Sequence, residues 1–148
     1  MDGLYNWGIV TDISYVLCCT GWESCNHLFF ECEYTAYVWS RLQDCSLQYR
    51  GACEWRTEIE WLSHHLKSKC FANKIKMLAP GAAVYCIWRE RNCRIFQGKA
   101  VDANILVRQV TKEIRNYVAI WRNVSNTRDN LLLSHSRDFP ESVFLKSW

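Results

Sequence analysis

Four cysteines and one histidine crowd into the stretch from Leu17 to Cys32, which reads LCCTGWESCNHLFFEC. Thiolate sulfur and imidazole nitrogen are the donors zinc prefers, commonly four in a tetrahedron, shared between a turn and the start of a helix. Cys18, His27 and Cys32 supply three donors in that pattern. One comes from the stretch with the Thr20-Gly21 turn signal, and two, separated by four residues, come from where helical character begins. Spacing does not fix a fourth. Cys19 adjoins Cys18, and neighbouring residues rarely reach one ion without strain; Cys25 stands two residues before His27 and points elsewhere on a helix. Three protein ligands plus water is the arrangement of catalytic zinc, but no general base accompanies this cluster. The competing reading is ordinary, with His27 on a helix and the cysteines as small buried hydrophobes.

A second constellation is IWRERNCRIF, where Arg89, Arg91 and Arg94, with Lys99 close behind, stand beside Trp88 and Phe96. Lys67, Lys69, Lys74 and Lys76 form another basic stretch. Guanidinium groups for phosphate and aromatic faces for bases suit single-stranded nucleic acid. The same string also fits a helix whose apolar face is Ile87, Trp88, Ile95 and Phe96, with the charges, Glu90 among them, on a solvated face.

Helices must position both groups. From Cys25 onward Phe30, Tyr34, Tyr37, Val38 and Leu42 recur at the spacing of one buried helix face. After a break around Gly51, Thr57 and Glu60 have capping-box spacing, and Ile59, Leu62, Leu66 and Cys70 continue at helical intervals. A third helix is expected over roughly 72–97, kinked or split at Pro80-Gly81. A fourth begins near Asp102 as N-cap, with Leu106, Val110, Ile114, Val118 and Trp121 as its stripe. The expected fold is mainly α: a small irregular Cys/His zinc-knuckle-like element, then a bundle of about four helices. Residues 1–97 read as one unit, 98–123 as an amphipathic helix packing on it, and 124–148 as a tail without a clear pattern.

The 148 residues are enough for one domain, and 49% hydrophobic content with eight tryptophans is enough for a core. Nine cysteines, an odd number spread along the chain, do not form a stapled secreted framework. The first residues lack a basic signal-peptide region, and no apolar run approaches the roughly 20 residues of a membrane helix, so an intracellular protein without a membrane partner is expected. The net charge of +3 does not by itself imply nucleic acid. No adjacent aspartate pair, P-loop or GxGxxG occurs, and no Cys–His pairing involving His64, His65 or His135 is favoured by spacing, so no enzyme is expected.

The strings WGIVTD, VLC, ESCNHLFFECEYTAYVWSRL and, downstream, IWRERNCRIF resemble the zinc-binding domain that follows the reverse transcriptase of plant non-LTR (LINE-type) retrotransposons. The resemblance covers about residues 4–97, with both segments in the right order. It implies zinc held by Cys18, His27 and Cys32, with Tyr15 standing where the family's first cysteine ligand belongs. Water, Cys19, Cys25 or nothing would then complete the set. It also implies RNA or DNA as partner, nuclear residence, and a non-catalytic accessory role, the polymerase domain being absent from this chain. The alternative is a helical protein-interaction or relic domain with core thiols that binds neither metal nor nucleic acid.

Overall fold

The structure, a computed structural model, describes residues 16–18, 24–46, 55–65 and 70–144. These are mainly α, in agreement with the patterning. Five α-helices follow one another: α1 (Glu33–Ser46), α2 (Trp55–His65), α3 (Phe71–Gln97), α4 (Ala103–Ala119) and α5 (Arg128–Ser136). A π-turn at His27–Glu31 precedes them and a 3-10 turn at Glu141–Val143 closes the series. Among the described residues no strand forms; the only β pairing is an isolated parallel bridge between Val124 and Phe144.

The core is built where α3, α4 and α1 meet. From α4 come Leu106, Val110, Ile114 and Val118, all buried, at steps of four. Fully burying each such side chain contributes roughly 1.5–3 kcal/mol. The helix starts as its sequence indicates, because the Asp102 carboxylate accepts the Asn104 amide at 2.8 Å. α1 contributes Val38, Trp39 and Leu42, while Tyr37 stays at the rim and bonds Asn104 Oδ1 at 2.5 Å.

α3 runs unbroken through Pro80-Gly81, so the split that this pair suggests does not occur. An interior proline costs about 3 kcal/mol. Burial of Ala79, Pro80, Ala82, Ala83, Cys86 and Ile87 offsets that cost, since small side chains let neighbouring helices approach. Gly98 ends the helix in the left-handed region (φ 63°), which glycine enters without a Cβ penalty.

Two local readings differ from the structure. Thr57 lies inside α2, which begins at Trp55, so it is not the N-cap. Ile59, one of the residues recurring at helical intervals there, is 45% exposed. Residues 124–144 also carry more order than their polar composition indicates. Thr127 caps α5, and Phe139 and Val143 are buried. Phe71 meets the rings of Phe139 and Phe144 edge-on at 6.1 and 5.9 Å.

Candidate metal centre

Three elements carry the candidate ligands. Cys18 lies in the turn at 16–18, His27 opens the π-turn, and Cys32 stands between that π-turn and α1. Ser24 Oγ accepts the His27 amide at 3.0 Å and its carbonyl accepts the Leu28 amide at 2.8 Å, starting the turn as a cap starts a helix. Cys32 has extended backbone (ψ 134°), and its carbonyl accepts the first bond of α1 from Ala36 at 2.7 Å. It therefore occupies the N-cap of α1.

The donor atoms of Cys18, His27 and Cys32 all lie within 4.8 Å of one another, and this group could hold a metal ion. Cys18 Sγ is 3.4 Å from His27 Nε2. Zinc–sulfur and zinc–nitrogen bonds of about 2.3 and 2.0 Å at a tetrahedral angle set sulfur and nitrogen about 3.5 Å apart. The donor chemistry and the Cys18–His27 separation thus fit corners of a tetrahedron. Cys18 and His27 are half-buried and Cys32 is buried, so the centre would sit against the core with one side toward solvent.

Burial is the largest influence on Cys32 and pushes its thiol up; the Thr35 and Tyr34 amides of the helix start oppose this, and nearby Cys18 reinforces it. Those amides are the donors that a thiolate ligand needs once its proton is displaced. Behind the cluster, Trp39 Nε1–H donates to the Phe29 carbonyl, and its ring stacks on Phe30 at 5.4 Å. This pins the π-turn to α1.

Cys25 is exposed and does not join the cluster. Tyr15 and Cys19, the other residues bearing on the fourth position, lie outside the described residues.

The three arginines nominated for nucleic acid do not share one surface. Arg89 is half-buried on α3, bonded to Gln109 at 3.0 Å, 3.5 Å from Glu113, and resting 5.4 Å from the Tyr85 ring centre. Arg91 is buried and reaches Asn92 at 3.1 Å. Arg94 turns inward. Its Nε donates to Glu90 at 2.7 Å, Nη2 to the Val101 carbonyl at 3.0 Å, and Nη1 to the carbonyls of Leu17 and Val16 at 3.0 and 3.4 Å. Removing one partner of such a buried pair generally costs about 3–5 kcal/mol. The surface around Arg89 holds two aromatics that its sequence neighbourhood only half indicated, since Tyr85 is 50% and Trp88 49% exposed. Among the described residues no helix is long and apolar enough to cross a membrane.

Compared with known proteins, no family model matches the chain, no curated protein matches it, and no solved structure matches its fold.

Proposed function

We propose that this chain is a non-catalytic, zinc-holding module of retroelement origin that binds single-stranded nucleic acid. The convergence of Cys18, His27 and Cys32 within 4.8 Å carries the reading, because two thiolates and an imidazole from separate elements suit Zn2+. The resemblance of ESCNHLFFEC and IWRERNCRIF to plant LINE-type reverse-transcriptase zinc-binding domains supports it further. In this reading the metal ties the N-terminal turn to α1, a structural role, and the module has no catalytic group. The nucleic-acid surface is Tyr85, Trp88 and Arg89 on α3. Two exposed rings offer stacking faces and the guanidinium over Tyr85 offers a phosphate contact.

One observation favours a second reading. Cys32 is 1% exposed and packs among core residues, as a structural thiol would. The helices would then form an interaction domain without metal.

Elemental analysis of purified protein separates the two. One zinc per chain, lost with chelator alongside a fall in melting temperature, is the expected result; metal-free protein indifferent to chelator overturns the zinc reading. Nucleic-acid binding is tested by anisotropy with a labelled single-stranded oligonucleotide at 50 and 200 mM salt, and by the Trp88→Ala and Arg89→Ala variants. Affinity should fall with salt and with either substitution. Binding indifferent to both overturns this half of the reading.

A further inference from the structure

Cys18 belongs to no helix, yet its sulfur sits 3.4 Å from His27 Nε2. Its backbone is held from a distance by Arg94, whose Nη1 donates to the two carbonyls just before it, Leu17 at 3.0 Å and Val16 at 3.4 Å. The same guanidinium lies 4.6 Å from the ring centre of Tyr34, two residues beyond Cys32. One side chain therefore touches both segments that carry candidate ligands.

The guanidinium is itself fixed. Glu90 Oε1 accepts its Nε at 2.7 Å and also accepts the Val101 amide at 2.9 Å, so the carboxylate is oriented from two sides. The Val101 carbonyl accepts Arg94 Nη2 and the Tyr34 hydroxyl, each at 3.0 Å. These partners surround Arg94 in the fork directions of a planar guanidinium. A lysine ammonium, a single point of charge, cannot serve them together.

We infer that Arg94 is a positioning residue for the metal centre. It fixes the Leu17–Cys18 backbone against α1 and so presents the Cys18 sulfur to the site without touching the ion. This rests on the metal reading above. Residues that orient ligands from behind commonly change metal affinity 10- to 100-fold when altered.

The test uses the full chain and Co2+, whose visible bands report thiolate ligation and tetrahedral geometry. Arg94→Lys and Arg94→Gln are compared with Arg115→Gln. Arg115 makes a similar clamp with the Arg137 carbonyl and Asp138 and involves none of the three ligands. Urea unfolding in chelator gives each variant's stability apart from metal. The Arg94 variants should bind Co2+ about 10- to 100-fold more weakly with altered bands, and Arg115→Gln should bind like wild type even where it costs comparable stability. Arg94 variants that bind within threefold of wild type overturn the inference, as does an equal weakening by Arg115→Gln. Should the Arg94 variants fail to fold without metal, Glu90→Gln keeps the guanidinium and loosens its anchor. It should weaken binding severalfold, and unchanged affinity again overturns the inference. Wild-type protein that shows no Co2+ bands overturns the metal reading itself, and this inference with it, before any variant is made.

Discussion

The Cys32 amide donates to the His27 carbonyl at 3.1 Å and closes a π-turn between the two residues. In an α-helix, positions five apart sit roughly 140° from each other around the axis. The wider turn brings them back to one side, so that imidazole and thiol can meet Cys18. The turn starts at Ser24, whose hydroxyl accepts the His27 amide. Ser24→Ala removes that cap, a loss of about 1 kcal/mol, or roughly fivefold in metal affinity when the cost falls on the turn. Competition titration against a chromophoric chelator measures it. Unchanged affinity would mean that the Trp39–Phe29 contact alone holds the turn.

The stability of the bundle rests on the α3–α4 contact. Leu106 is 0% exposed in that core, whereas Ile120, just past the end of α4, is 68% exposed. Leu106→Ala should cost about 2–5 kcal/mol because it leaves a cavity that the packed helices cannot close. Ile120→Ala should stay within about 0.5 kcal/mol. Urea midpoints of the two variants check the contrast, and comparable losses would contradict the burial assigned to α4.

What was legible in the sequence was local. The α4 stripe from Leu106 to Val118 and its Asp102 cap are written in a span of 17 residues, and periodicity with N-cap preference recovers them. Trp121, the expected last member of the stripe, lies past the helix end at Ala119. Cys18, His27 and Cys32 were nominated by donor chemistry, and the fold brings their atoms together. The π-turn that does so is not legible, because its five residues are too few for a change of helical period to show in the hydrophobic pattern. In sequence Arg94 resembles a surface cation, because its partners at Leu17 and Val16 lie 77 and 78 residues away. No window of sequence contains both ends of that clamp. Thr57 and Glu60 match a capping box in spacing, yet Thr57 already lies within α2.

The residues after Asn123 make the same point through packing. Phe139, Val143 and Phe144 follow no helical period; Phe139 and Phe144 pack on Phe71 at the start of α3, while the turn carrying Val143 packs on α4. Phe139 is 8% exposed and meets Phe71 edge-on at 6.1 Å. Phe139→Ala should cost about 3–5 kcal/mol, and truncation after Asn123 should cost more, since it removes the buried Val143 as well. Thermal unfolding of both forms decides this. A truncated chain as stable as wild type would show that the segment is dispensable to the bundle.

Tyr34 gives the fold a dependence on alkaline pH. Burial first, and then the negative charge of Glu90, push its hydroxyl from 10.0 up to about 12. In the unfolded chain the phenol loses its proton near pH 10, while in the folded protein it keeps it to about 12. The folded state therefore binds more protons between those values. Tyr34's contribution is fully present below pH 10 and is lost as pH rises from 10 to about 12. Tyr34→Phe keeps the ring under Arg94 and removes the titrating group, along with its bond to the Val101 carbonyl. The variant should start less stable at pH 9 and lose less than wild type by pH 11.5. Other lysines, cysteines and tyrosines titrate in both proteins, so the difference between the two urea-midpoint curves isolates Tyr34. Parallel curves would place the hydroxyl in solvent rather than against Glu90 and Arg94.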